Sequence, residues 1–283
     1  MQVFKEKKVL QKLLAGFKSD KKVIGLVPTM GALHQGHLFL VKEAIKTCDK
    51  VVISIFVNPT QFDNPKDLEK YPRNLEADLR LLEEISSDLI VFTPNAVELY
   101  GSQIKSEEFD FNGLDKVMEG KHRSGHFNGV GTIVKLLFNT VKPDKAFFGE
   151  KDYQQLQIIR KLTEIEAMPV EIIGCPILRE ESGLARSSRN ERLTPKQREN
   201  AAFIYKTLQE IKNNFGTNSA DNIQKWIENE FKNHPFLELE YFEISEAKTL
   251  QKITNIKEGE QYRAFIAAYA GEVRLIDNIA LNN

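Results

Sequence analysis

Apolar residues in this chain fall into two kinds of run. Short, nearly continuous runs rich in Val and Ile read as strands buried on both faces of a parallel sheet. They lie at Val23–Val27, Lys50–Val57, Asp88–Phe92, Lys145–Phe148 and Val170–Ile173. Between them the apolar positions recur at helical spacing. Val9, Leu10, Leu13 and Leu14 give a stripe to an opening helix from Val3 to Phe17. Further helices are expected over Leu38–Ile45, over Leu75–Ile85 behind an Asn74 cap, over Thr132–Val141, and from the Gly149–Gln155 stretch to Ile165. Pro28 is expected to end the first strand, a polar loop passes through Asn64, Pro65 and Pro72, and Thr93–Lys116 has no clear period. Strands alternating with helices predict an α/β fold with a doubly wound parallel sheet.

The alternation stops after Arg179. Thr194-Pro195 opens a helix to about Asn213 in the preferred order of cap and proline, and Ala220–Phe231 reads as another. Leu237–Ile244, Arg263–Tyr269 and Val273–Ile276 read as short strands, the last two joined by a hairpin turn at Ala270-Gly271-Glu272. The division this suggests is a larger domain over residues 1–184 and a small C-terminal α+β domain over 185–283.

Charge narrows the range of partners. With 39 basic and 40 acidic side chains the net charge is -1, so the chain lacks the overall basic field that attracts nucleic acid. The charged N-terminal stretch reads as an amphipathic helix, and no run of apolar residues is long enough to span a membrane. Cys48 and Cys175 are too few for a disulfide framework, lack the spacing of a zinc site, and read as core residues of a protein from a reducing compartment. A cytoplasmic protein with no membrane or nucleic-acid partner is expected.

Candidate chemistry gathers where strands end. The stretch Val23–His37 runs from a strand through a close turn, Thr29-Met30-Gly31-Ala32, into a helix that carries His34 and His37 at its entrance. Free backbone N–H groups, the positive end of the helix dipole and two imidazoles suit an anion there, phosphate above all. Gln61 follows the second strand, and Lys151 with Asp152 follows the fourth. Arg186-Ser187-Ser188-Arg189 places two cations and two hydroxyls side by side, as anion sites do. Lys121–Gly131, with two histidines and three glycines, reads as a mobile loop near a phosphate site. The set holds phosphate binders and amides but no nucleophile paired with a base and no metal cage. Phosphoryl or nucleotidyl transfer, where positioning and charge stabilisation do most of the catalysis, fits it best.

The segments VPTMGALHQGH, FVNPTQF, YPR at Tyr71–Arg73, EGKHRSGHF with Gly129-Val130, FGEKDYQQL and GLARSSRN resemble, in order, those of the pantoate–β-alanine ligase (pantothenate synthetase) family. That family belongs to the nucleotidyltransferase superfamily with a His-x-Gly-His signature. The resemblance implies a Rossmann-like ATP- and pantoate-binding domain, a C-terminal lid domain and a homodimer. It implies that MgATP and (R)-pantoate give a pantoyl adenylate and diphosphate, and that β-alanine then displaces AMP to give pantothenate. Carried over by residue, Met30, Gly31, Ala32, Leu33, His34, Gln35, Gly36 and His37 would form the ATP-binding turn. His37 would be the proton donor and His34 its phosphate-binding neighbour. Gln61 would hold pantoate and later β-alanine, and Gln155 would hold pantoate. Gly149, Glu150, Lys151 and Asp152 would bind ATP, with Lys151 at the phosphates and Asp152 at the ribose. Leu178 would offer adenine a backbone contact, and Arg186, Ser187, Ser188 and Arg189 would form the phosphate-binding loop. Asp78 is the position for a Mg2+ ligand, although its expected acidic partner is Ala77 here. Arg186 stands where the family most often has methionine, which adds a cation. The alternative enzyme is another small-molecule nucleotidyltransferase of the same superfamily, which would keep AMP in its product. A nucleotide-sensing or RNA-binding protein without turnover would need a degraded histidine pair or a basic surface.

Overall fold

The computed structural model describes residues 1–62, 68, 69, 71–217, 219–253 and 255–282. The expected loop at Asn64 and Pro65 therefore lies outside the described residues. The chain forms two compact units, one of Met1–Glu150 with Gln155–Pro176 and one of Lys151–Gln154 with Ile177–Asn283.

The first unit is a six-stranded parallel sheet flanked by helices. Its strands are β1 (Gln2–Phe4), β2 (Ile24–Thr29), β3 (Lys50–Ile55), β4 (Ile90–Phe92), β5 (Lys145–Gly149) and β6 (Glu171–Cys175), in the order β1-β4-β3-β2-β5-β6. The helices are α1 (Lys7–Ser19), α2 (Gln35–Thr47), α3 (Leu75–Glu83), α4 (Ala96–Tyr100), α5 (Met118–His122), α6 (His126–Val141) and α7 (Tyr153–Ile165), the last beginning in the second unit. Leu38, Val41 and Ala44 of α2 pack with Val27, Ile53, Val91 and Phe147 of the strands in one core cluster. This burial, more than intrinsic helix propensity, holds the sheet and α2 together. The strand order reverses between β2 and β5. In open α/β sheets, ligands bind beyond the carboxyl ends of the strands at such a switch point.

Four local expectations differ from the structure. Gln2–Phe4 is a strand and not the start of a helix, because it pairs in parallel with β4 at the sheet edge. Pro28 lies inside β2 opposite Ser54; β5 pairs with β2 only at Gly25 and Leu26, so no bond on that side needs the missing N–H. The stretch Lys121–Gly131 is largely helical, and α6 starts at His126, six residues before the expected position. Gly129 sits within it because a Cβ there would meet Thr60 O at 2.3 Å, so the glycine marks close helix packing and not a mobile phosphate loop. A short helix, α4, also interrupts the stretch read as irregular.

The second unit joins helices α8 (Pro195–Asn214) and α9 (Ala220–Lys232) to an antiparallel sheet β7-β8-β9 (Glu238–Glu246, Tyr262–Ala270, Val273–Ala280). Thr194 and Gln197 make a reciprocal capping box at the start of α8, with Pro195 at its first position. Ile204, Leu208 and Ile211 of α8, Ile227 and Phe231 of α9, and Phe242, Ile266 and Leu275 of the strands share its core. Residues 177–184 pack in this unit, where Arg179 bridges to Ala185 and pairs with the buried Asp277. Among the described residues no helix is long and apolar enough to cross a membrane.

Candidate active site

The turn after β2 is held from below by one carboxylate. Gly31 adopts φ +79° and Ala32 φ +50°, left-handed angles that glycine takes freely and alanine only at a cost. The Ala32 N–H donates to Asp78 Oδ2 at 3.1 Å and the Leu33 N–H to Oδ1 at 2.7 Å, so α3 pins the strained backbone. Thr29 Oγ1 accepts from the Gly31 N–H at 3.2 Å and donates to Ser54 O at 2.8 Å, closing the turn on its other side. Asp78 is 3 % exposed. Burial pushes its carboxyl above the ordinary value, against the pull of the two backbone donors. The structure thus gives Asp78 the work of fixing the turn. Among the described residues no three His, Cys, Asp or Glu side chains gather as a metal cage would.

The two histidines cap α2 with their rings. His34 Nδ1 accepts from the Gly36 N–H at 3.0 Å, and His37 Nδ1 lies 3.3 Å from the His34 N–H, which donates to it. The ring centroids are 4.1 Å apart. An Nδ1 that accepts carries no proton, so each neutral imidazole is an Nε2–H donor. Both donors belong to the first turn of a helix whose dipole favours an anion. Gln35 and Gly36 complete that turn.

Gln61 stands at the carboxyl end of β3 in a 3₁₀ turn, Pro59–Gln61, capped by Asn58. Its Nε2 donates to Met30 Sδ at 2.9 Å, which joins it to the histidine turn. Its carbonyl accepts from Arg123 at 3.4 Å and lies 2.9 Å from His126 Nδ1, so α6 holds the backbone here. Asn58, 1 % exposed, donates to Gln61 Oε1 and to Gly129 O, both at 3.1 Å. Gln155 is half-buried in the first turn of α7.

Gly149 ends β5 opposite Cys175, and Glu150 begins a 3₁₀ turn there. Lys151 and Asp152 follow in the second unit, with Lys151 Nζ 3.6 Å from Asp152 Oδ1. Lys151 lines a pocket of that unit together with Ser187, Arg189, Asn190, Arg274 and Asp277. Complete burial pushes the Asp277 carboxyl up, opposed by the Arg179 guanidinium that donates to both its oxygens at 2.6 and 3.0 Å. Leu178 O accepts from the Arg186 N–H at 2.9 Å, and the Arg186 Nε is buried with no hydrogen-bond partner among the described residues. Ser187 caps the 3₁₀ turn Ser188–Arg192 by accepting from the Arg189 N–H. Asn190 donates to Ala185 O and to Glu180 Oε1, both at 3.0 Å, and Arg198 holds Glu180 at 2.8 and 2.9 Å. The serine–arginine loop is thereby built on a buried amide and an ion pair.

The sequence alone does not place Asn58 or Tyr100, whose hydroxyl donates to Asn58 Oδ1, beside Gln61, or Glu180, Asn190, Arg198 and Asp277 around the second loop, and it puts His126 and Gly129 in a mobile phosphate loop and not at the Gln61 turn. Asn58 before Pro59 carries a cap signal. Tyr100, His126, Gly129 and Asp277 pair with residues 40 or more positions away, contacts that leave no local mark, and Glu180, Asn190 and Arg198 pair over shorter spans that no sequence motif marks.

Fold and turn together define a class: a doubly wound α/β protein whose switch point presents a helix entrance capped by two imidazoles. Residues 2–280 match the model of the pantoate-beta-alanine ligase family. The pantothenate synthetase of Christiangramia forsetii is 64% identical over 283 residues, which is 100% of both chains. The crystal structure of pantothenate synthetase from Thermus thermophilus aligns with a TM-score of 0.90 and 37% identity over 100% of both chains. A pantoate-beta-alanine ligase from Francisella tularensis, solved in complex with beta-gamma ATP and beta-alanine, aligns with a TM-score of 0.80 and 35% identity over 100% of this chain and 98% of that one. This chain belongs to the pantoate-beta-alanine ligase family.

Proposed function

We propose that this chain condenses (R)-pantoate with β-alanine at the expense of ATP, through a pantoyl adenylate. In the first step a pantoate carboxylate oxygen attacks the α-phosphorus, a P–O bond forms, and the bond to diphosphate breaks. In the second step the β-alanine amine attacks the acyl carbon, the acyl C–O bond breaks, AMP leaves and the amine loses a proton. The observation that carries this reading is the pair of Nδ1-accepting imidazoles at the switch point. Negative charge grows on the phosphoryl oxygens and on the departing diphosphate in the first step, and donors fixed beforehand stabilise it there. His37 and His34 supply such donors as Nε2–H groups without needing to become cationic.

The remaining groups take the roles implied by family membership. Met30–Leu33, Gln35, Gly36, Gly149 and Glu150 serve nucleotide binding through the backbone, and Asp152 serves the ribose. Leu178 serves adenine, and Lys151, Arg186, Ser187, Ser188 and Arg189 serve the phosphates. Gln61 and Gln155 bind pantoate, Gln61 later turning to β-alanine. Mg2+ is read as entering with the ATP phosphates, a cation that keeps most of its waters, because both Asp78 oxygens already accept backbone donors. A cytoplasmic homodimer is proposed on the family resemblance. The test is product analysis with ATP, pantoate and β-alanine. AMP and diphosphate in step with pantothenate are expected; a product that retains AMP would refute the ligase reading.

A further inference from the structure

The Gln61 carboxamide has a fixed polarity whose cause can be traced atom by atom. The Thr60 N–H, an obligatory donor, reaches Asn58 Oδ1 at 3.4 Å, and Gly129 O, an obligatory acceptor, receives from Asn58 Nδ2 at 3.1 Å. Backbone groups on both sides favour one orientation of the Asn58 amide. The Thr60 N–H is a long donor, but Oδ1 also accepts from Thr60 Oγ1 at 3.1 Å, and the shortest donor to it is a phenol. The second Asn58 Nδ2 hydrogen goes to Gln61 Oε1, which leaves Gln61 to present its NH2 end beside Met30. Tyr100, the last residue of α4, completes the relay. Its hydroxyl donates to Asn58 Oδ1 at 2.5 Å and lies 2.9 Å from Thr60 Oγ1. The Gln61 backbone is held separately, by His126 and Arg123 at its carbonyl. The phenol thus acts on the side-chain relay.

We infer that Tyr100 is a positioning residue for substrate choice: through Asn58 its hydroxyl holds the Gln61 oxygen inward and its NH2 end on the Met30 side, and so selects ligands rich in acceptor oxygens, carboxylate and hydroxyl. The inference rests on the reading of Gln61 as the pantoate-binding amide. If the relay loosens, the Gln61 amide can turn over and offer its oxygen to the same acceptors, which repels them. Losing one hydrogen bond of this kind corresponds to roughly a five- to tenfold change.

The test is a double-mutant cycle on the full chain with Tyr100→Phe, Gln61→Ala and both together, reading KM for each substrate and the melting temperature. Tyr100→Phe is expected to raise KM for pantoate about five- to tenfold while KM for ATP stays within about twofold. In the Gln61→Ala background the same change is expected to raise it no further, since groups acting through one another are non-additive. Thr60→Val, which removes the neighbouring hydroxyl, should move KM for pantoate in the same direction by less. An equal multiplicative loss with and without Gln61, or a parallel rise for ATP, would overturn the inference, as would no change at all. Inactive wild type with these substrates would instead refute the reaction, and the inference with it. An active wild type with a silent Tyr100→Phe refutes the inference alone.

Discussion

Two carboxylates anchor the histidine turn and the serine–arginine loop, and they do so by different physics. In the first unit Asp78 holds the histidine turn through two backbone N–H groups, at 2.7 and 3.1 Å, and burial pushes its pKa up. In the second unit Glu180 holds the serine–arginine loop through Asn190 and Arg198, and the Arg198 guanidinium, aided by Asn190, draws its pKa down. Fixed dipoles in a dry setting keep their geometry and respond little to salt. An ion pair whose arginine is 35 % exposed is screened and can reform. The first arrangement suits a turn that must stay in one strained conformation while charge develops nearby. The second suits a loop that grips an anion and then releases it.

The largest effect expected is on stability. Asp78→Ala strands the buried Leu33 N–H at about 1–3 kcal/mol and the half-buried Ala32 N–H at less, and leaves the left-handed Ala32 unsupported, whereas Glu180→Gln should cost about 1 kcal/mol. Urea unfolding of the two variants checks this, and equal losses would erase the contrast between the loops. Next comes catalysis. His37→Ala should slow adenylate formation by about a hundredfold, the usual loss for one such donor, and slow aminolysis of supplied pantoyl adenylate much less. Paired single-turnover reactions measure it, and equal slowing of both steps would show that the ring serves the cap alone.

The smallest effect concerns pH. A raised folded-state pKa means that the ionised Asp78 subtracts from stability, a penalty relieved as pH falls through that value toward the ordinary 3.8. The lowered pKa of Glu180 adds stability that is present in full above the ordinary 4.5 and lost as pH falls through the folded value. Relative to wild type, Asp78→Asn should therefore gain less on acidification, and Glu180→Gln should lose less. Urea midpoints measured across the acid range read both slopes, and slopes of the same sign would remove the electrostatic half of the comparison.

How far the sequence discloses each loop follows from where its contacts come from. The histidine turn is legible because strand, glycine and helix entrance are consecutive, and Thr194-Pro195 marks a helix start by the same local logic. What holds the turn is not legible. Asp78 reaches back 45 residues to Leu33, Asn58 reaches 71 residues to Gly129, and Arg179 reaches 98 to Asp277. The glycines of the Lys121–Gly131 stretch misled for the same reason, since Gly129 answers to the backbone of Thr60 and not to its own chain neighbours. Pro28 misled because its position in β2 matters less than where β5 stops pairing.

Adenylation is the claim on which both loops converge, and oxygen-18 tests it most directly. Pantoate labelled in both carboxylate oxygens is turned over with unlabelled ATP and β-alanine, and the AMP is weighed by mass spectrometry. Attack on the α-phosphorus followed by cleavage of the acyl C–O bond leaves one labelled oxygen on the AMP phosphate and the other in the pantothenate amide carbonyl. Unlabelled AMP, or label in the diphosphate or in free phosphate, would contradict it.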